Sequence, residues 1–114
     1  MERVLIMPFG DVDDEVLAEI AAGLHAAFGC DTVIHAAVPA PANAYNPARR
    51  QYRSTAILRL LETGTSKGRD RVLGVINEDL YVPELNFVFG EANVTAGVAV
   101  ISLARLRQEF SGCR

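Results

Sequence analysis

Polar side chains that could take part in chemistry lie directly after a short apolar run. The run "RVLGVI" ends at residue 76, and Asn77, Glu78, Asp79 and Tyr81 follow it. Ligands of open α/β sheets bind just outside the carboxyl ends of the strands, so these side chains lie where a site could form. The residues alone also allow a solvated turn here, and the sequence does not fix the distance from Asp79 to a second carboxylate on Glu78 or Glu91.

The stretch "NFVFGEA", which follows shortly afterwards, has the pattern of a short strand at a sheet edge. Phe87, Val88 and Phe89 lead into Gly90, and a glycine in a strand permits a bulge or a close backbone approach. An exposed edge strand can bind an extended peptide by backbone pairing. The alternative is that Phe87 and Phe89 are core residues.

The other residues of the chain do not form a pattern typical of a metal site or of a catalytic nucleophile. There are two histidines, His25 and His35. His25 lies within a predicted helix, and His35 with Cys30 and Asp31 gives too few ligands on a strand for a closed site. Phosphate loops, nucleophile elbows and calcium loops are absent from the sequence, and "DVDDE" fits a capped helix start better than an ion loop.

The elements that position these residues follow from hydrophobic spacing. "RVLIMPF" (3–9) and "CDTVIHAAV" (30–38) are predicted strands, and they flank a helix with Asp11 or Asp13 as N-cap and Gly29 as C-terminal stop. This unit predicts a right-handed crossover onto a parallel sheet. The helix stripe comprises Val16, Leu17, Ile20, Leu24 and Phe28.

The second half continues the pattern. Asn46-Pro47 predicts the start of a helix that runs to Gly64 and buries Tyr52, Ala56, Ile57, Leu60 and Leu61. Residues 71–76 and 97–103 are further predicted strands. The fold class is therefore α/β, with two helices packed on a mostly parallel sheet.

The composition of the chain restricts which classes of partner and which cellular compartment we expect. The net charge of −3 gives no reason to expect nucleic acid, and no stretch approaches the roughly 20 apolar residues that a membrane span requires. Three arginines, Arg49, Arg50 and Arg53, are expected on one solvated helix face. The two cysteines, Cys30 and Cys113, do not form a disulfide or zinc pattern, so we expect a cytoplasmic protein.

Three stretches carry a family resemblance over residues 45–106: "RRQYRSTAILRLL", "VLGVINEDLYVPELNFVFGEAN" and "GVAVISLARL". They resemble the archaemetzincins, an archaeal family of metzincin-type zinc-dependent metallopeptidases. The opening "ERVLIMPFG" is similar to the family's first strand, so the resemblance covers nearly the whole chain.

The length of the chain predicts a single domain over residues 1–114. The resemblance implies that this is the N-terminal part of a metzincin-like catalytic domain, ending before the zinc-binding helix. It also implies a mixed, mostly parallel twisted sheet of four to five strands with an antiparallel edge strand, backed by two helices. In such proteins one antiparallel edge strand is the upper rim of the cleft and holds extended substrate by its backbone. Carried over to this chain, the predicted rim is Phe87, Val88, Phe89, Gly90 and Glu91, with the aromatic side chains as anchors.

The family pattern for zinc, HExxHxxGxxH, is absent from this sequence. Its three imidazoles leave one zinc position open for water, whose proton the glutamate takes, and two histidines are too few for this. We therefore expect zinc in the family, but no catalytic residue, no bound zinc and no peptide cleavage in this chain.

Two further expectations follow. Surface left uncovered by the missing helix should promote self-association. A different class of function also remains open, namely a non-catalytic binding module that captures an extended peptide at its sheet edge.

Overall fold

The computed structural model describes residues 3–64 and 70–104. In chain order the elements are β1 (Arg3–Phe9), α1 (Asp14–Phe28), β2 (Asp31–Ile34), a short 3-10 helix (Ala42–Ala44), β3 (Tyr45–Asn46), β4 (Gln51–Arg53), α2 (Ser54–Gly64), β5 (Arg71–Ile76), β6 (Leu80–Tyr81), β7 (Gly90–Asn93) and β8 (Val98–Ser102).

The larger sheet has five strands in the order β2-β1-β5-β8-β7. β1, β2, β5 and β8 run parallel, and β7 pairs antiparallel with β8 at one edge. The predicted fold class, including its antiparallel edge strand and two helices, is confirmed. A smaller sheet of three strands in the order β3-β4-β6 was not predicted.

The two helices cover opposite faces of the larger sheet. Ile57, Leu58 and Leu61 of α2 pack in one cluster with Phe9 and Ile76. Leu17 of α1 packs on the other face with Ile6 and Val75, and Val16, Ile20 and Leu24 border that cluster. Because β1 and β5 are buried on both faces, their sequences are nearly continuous apolar runs.

The predicted start and end of α1 are confirmed. The Asp13 side chain accepts a hydrogen bond from the Glu15 amide at 2.9 Å, and Gly29 adopts a left-handed conformation with φ of 69°. The predicted stripe is too long by one residue, since Phe28 is 76% exposed. β2 is shorter than predicted, although the chain beyond it still follows β1 as far as a bridge between Val38 and Phe9.

The second helix was predicted to start at Pro47, and this is wrong. α2 starts at Ser54, because residues 51–53 pair as β4 with β3 and β6. The Asn46 side chain does accept from the amides of Ala48 and Arg49, but it stabilises a turn. Tyr52 consequently lies in a strand, and Leu60 is 46% exposed, not buried.

No helix among the described residues is long and apolar enough to cross a membrane.

Candidate functional site

The backbone of β7 presents one side to β8 and the other to solvent. Gly90 lies opposite Ile101, and the amide of Ser102 donates to the carbonyl of Phe89 at 2.8 Å. Backbone polar groups alternate between the two sides of a strand. The groups of Phe89, Glu91 and Asn93 therefore face β8, and those of Gly90 and Ala92 face outward.

Part of this outer side already holds a strand pair. The amide of Val88 donates to the carbonyl of Leu80 at 2.9 Å, in an antiparallel bridge. Within residues 3–64 and 70–104, no strand pairs with the outer side of β7 beyond this bridge. The outer side thus has the geometry for antiparallel pairing and is open next to Gly90 and Ala92.

Side-chain hydrogen bonds fix β7 to the start and the side of α2. Glu91 accepts from the Ser54 hydroxyl at 2.6 Å and from the Thr55 hydroxyl at 2.9 Å. Two residues further on, Asn93 donates to the Glu62 carboxylate at 2.8 Å. The Glu91 carboxylate also lies at a helix N-terminus, where the dipole favours an anion.

Gly90 lies where a side chain does not fit. A Cβ at this position would come within 2.5 Å of the Val100 carbonyl oxygen and 3.2 Å of the Ile101 side chain. The close backbone approach expected of this glycine is therefore present, and it brings the start of β7 against β8.

The two phenylalanines of the predicted rim form a pair with each other. Their rings meet edge to face with centroids 5.3 Å apart. Phe89 is 45% exposed, so it is not the core residue that the alternative interpretation assumed, and it is Val88 that packs against the core. The strand itself starts at Gly90, three residues later than the predicted rim; Phe87 to Phe89 form its approach. Whether these five residues bind a substrate stays a prediction.

The loop before β7, residues 82–89, is held by side chains that were not selected as site residues from the sequence. The Arg49 guanidinium donates to the carbonyl of Leu85 at 2.8 Å and stacks 4.0 Å from the Tyr81 ring centroid. Gln51, which is 5% exposed, donates to the Asn86 carbonyl at 2.7 Å. Since residues 47–64 were predicted as one helix, Arg49 was assigned to a solvated helix face and Gln51 was not singled out.

The polar residues after β5 do not form a carboxylate pair with Glu91. Asp79 accepts from the Gln51 amide at 2.9 Å, while Glu91 is bound at the start of α2. Glu78 is exposed, and its main-chain carbonyl accepts from the Ser102 hydroxyl at 2.7 Å.

A polar cavity of about 460 Å³ does lie at the carboxyl ends of β1 and β5, as their positions predicted. Its lining includes Asp11, Tyr52, Asn77 and Glu78. Burial, followed by the charge of Glu78, raises the pKa of the Tyr52 hydroxyl.

The histidines are bound to main-chain oxygens. His25 Nδ1 lies 3.1 Å from the Cys30 carbonyl, and His35 Nδ1 lies 2.7 Å from the Ala36 carbonyl. In the described part of the chain, no three histidine, cysteine, aspartate or glutamate side chains come together as a metal site. Cys113 lies outside the described residues.

A second, largely apolar cavity of about 250 Å³ opens on the α1 side of β7 and β8. Leu24, Leu73, Ala92 and Ala99 line it. The self-association predicted from the sequence stays a prediction.

Comparison with known proteins agrees with this fold. No family model matches the chain. The archaemetzincin of Methanocaldococcus jannaschii is 44% identical over 110 residues, which are 96% of this chain and 59% of that protein.

Solved structures of archaemetzincins are similar to this chain over nearly the same residues. The archaemetzincin of Archaeoglobus fulgidus, crystallised in complex with malonate, superposes with a TM-score of 0.80 at 35% identity, over 91% of this chain and 62% of that one. The archaemetzincin of Methanopyrus kandleri gives 0.77 at 32% identity, over 92% and 59%. The chain thus spans about three fifths of the length of these relatives. Over the part that it spans, this chain is similar to the archaemetzincins in sequence and in fold.

Proposed function

We propose that this chain supplies the peptide-holding edge of an archaemetzincin-like zinc-dependent peptidase, in which β7 binds an extended substrate by backbone pairing. The observation that carries the proposal is the outer side of β7. Gly90 and Ala92 turn their amides and carbonyls outward, next to the Val88–Leu80 bridge. A peptide that pairs antiparallel there continues the antiparallel pairing that begins at the Val88–Leu80 bridge.

The proposal assigns different roles to four of the five residues of the predicted rim. Gly90 gives backbone groups to the peptide, and Val88 anchors the approach to the core. Glu91 directs its carboxylate to α2, so it orients the strand and makes no substrate contact through its side chain. Phe89, which is 45% exposed, is the side chain best placed to contact a bound peptide.

We further propose that the chemistry of peptide hydrolysis is not carried by this chain. The family implies zinc, which would supply an activated water, but the described residues do not fit a zinc site. His25 and His35 are the only histidines of the sequence, and their Nδ1 atoms contact carbonyls in separate places. The expected result is less than stoichiometric zinc after exposure to the metal and no chelator-sensitive cleavage of casein; one zinc per chain would contradict this.

We also propose that the protein is located in the cytoplasm. The support for this is that Cys30 is a buried free thiol 3.7 Å from the Leu24 carbonyl, as a reducing compartment permits.

A proline substitution tests the edge directly. Ala92 is exposed and its amide faces outward, so Ala92→Pro removes one donor from the peptide side and none from the β8 side. Ala92→Val keeps the donor and is the matched control. Phe89→Pro is unsuitable, because the Phe89 backbone faces β8.

The probe is a pool of acetylated, amidated hexapeptides with randomised side chains, and binding is measured by calorimetry. We expect the wild type and Ala92→Val to bind, and Ala92→Pro to bind about tenfold more weakly. Equal affinity of all three proteins, or no binding by the wild type, would contradict the proposal.

A further inference from the structure

Arg49 contacts the loop before β7, residues 82–89, and two residues of the small sheet, Gln51 and Tyr81. Its Nη2 donates to the carbonyls of Leu85 at 2.8 Å and Asn86 at 3.3 Å. Its Nε donates to Gln51 Oε1 at 2.8 Å, and its planar group stacks on Tyr81. A guanidinium can make all of these contacts together because it is flat and presents donors in a fixed fork.

Gln51 connects Arg49 to the rest of the network. It is almost fully buried, and both ends of its amide are used: Oε1 accepts from Arg49, and Nε2 donates to Asp79 Oδ2 at 2.9 Å and to the Asn86 carbonyl at 2.7 Å. A buried amide with all these partners has one orientation, since its rotation would place like atoms against each other.

Residues 83–86 of this loop have no buried apolar side chain, and the apolar contact of the loop with the core lies further on, at Val88. Pro83, Glu84, Leu85 and Asn86 are all exposed, and Leu85 turns 54% of its surface to solvent. Their conformation therefore depends on the polar contacts from the turn before β4 and from β4 itself. The carbonyls that these contacts hold belong to the two residues directly before Phe87.

We propose that Arg49 and Gln51 are positioning residues for the peptide-binding edge. They fix loop 82–89 to the small sheet, so that the chain enters β7 with Val88 bonded to Leu80 and with Gly90 and Ala92 turned outward. Arg49 is thereby a loop clamp and does not serve as a free cation for an anionic ligand. The effect of these residues on peptide binding rests on the proposed function. The contacts by which they hold the loop do not depend on it.

The clamp is tested without any peptide by amide hydrogen exchange. Arg49→Lys keeps the charge but loses the fork and the planar stack. We expect the Val88 amide to exchange about tenfold faster in this variant, while the Val75 amide at the centre of β5 exchanges at the wild-type rate. Arg50→Lys, a change at the exposed neighbouring arginine, is the matched control and should alter neither amide.

A second variant tests the Nε2 donors of Gln51. Gln51→Glu retains the shape and the acceptor of the side chain but removes the Nε2 donors to Asp79 and Asn86. We expect the same faster exchange at Val88 near neutral pH and a partial recovery in acid, where a protonated carboxyl regains one donor. Unchanged exchange at Val88 in both variants, or equal acceleration at Val88 and Val75, would overturn the clamp.

Binding of the randomised hexapeptide pool then tests the consequence. We expect Arg49→Lys to bind about fivefold more weakly than the wild type and Arg50→Lys to bind normally. If the wild type binds no peptide, the proposed function fails, while hydrogen exchange still decides on the clamp. If Val88 exchanges faster but affinity is unchanged, the positioning role is wrong.

Discussion

The central strand β5 and the edge strand β7 flank the same neighbour, β8, but different forces hold them. β5 pairs with β1 and β8 and buries Val72 and Ile76 on one face and Val75 on the other. Among the described strands β7 pairs along its length only with β8, and Glu91 and Asn93 bond it to α2. A strand held by a few polar contacts can be placed accurately while its outer backbone stays open to a partner.

The largest effect is expected from the apolar core next to β5. Ile76 is fully buried, and Ile76→Ala should lower the free energy of unfolding by about 2–5 kcal/mol through lost burial and the cavity left behind. Leu60→Ala removes a half-exposed side chain and should cost less than about 1 kcal/mol. Urea denaturation measures the free energy of unfolding of both variants. Equal losses would contradict the expectation that the buried Ile76 contributes more to stability than the half-exposed Leu60.

A smaller effect is expected at the start of β7. The Cβ added by Gly90→Ala would meet the Val100 carbonyl oxygen, which is backbone and cannot move aside, so we expect a loss of about 1–3 kcal/mol. Gly23→Ala is the matched control, since its Cβ meets nothing within 4 Å and it lies in α1. That change should stabilise by about 0.5–1 kcal/mol. Loss of stability in both variants would contradict the close approach at Gly90.

The contact between β7 and α2 should be worth somewhat less. Glu91→Gln removes the charge that accepts from Ser54 and Thr55, and we expect a loss of about 1–2 kcal/mol. A double-mutant cycle with Ser54→Ala should show a coupling of about 1 kcal/mol. Glu84→Gln, in the exposed turn before β7, is the control and should be neutral. Additive losses in the cycle would show that the Ser54–Glu91 bond does not hold the strand.

The smallest effect belongs to a surface ion pair beside β5. Arg3 Nη2 lies 2.8 Å from Asp70 Oδ2, and this hydrogen bond lowers the pKa of Asp70. A carboxyl whose pKa is lower in the folded state stabilises the fold above its unfolded pKa, and this contribution is lost as the pH falls through the folded pKa. We expect Arg3→Met to raise the pKa of Asp70 toward its ordinary value, as NMR titration would show. An unchanged pKa would mean that the pair does not form in solution.

The same contrast explains what the sequence could predict. β5 was predicted with its observed bounds and α1 with its caps, because apolar spacing and local capping residues determine them. The small sheet and the start of α2 could not be predicted from local pattern. They depend on pairs such as the Tyr52 amide with the Asp79 carbonyl, which are distant in sequence.

The edge strand was predicted at residues 87–91, whereas the strand occupies Gly90–Asn93. Whether the predicted rim binds a substrate stays a prediction. Glu91 and Asn93 bond to α2, and Arg49 and Gln51 bond to the loop before the strand. Side-chain bonds between distant residues leave no periodic signal in a sequence, so Arg49 was assigned to a solvated helix face and Glu91 to a substrate rim.

The most direct test of the central claim is an NMR titration that compares the two edges of the larger sheet. The outward amides are those of Gly90 and Ala92 on β7, and those of Thr32 and Ile34 on β2, where the His35 amide already bonds to the Ile6 carbonyl. On addition of the randomised hexapeptide pool, we predict saturable shifts of the Gly90 and Ala92 amides and none at Thr32 and Ile34. Shifts at the β2 edge, or at neither edge, would contradict the account.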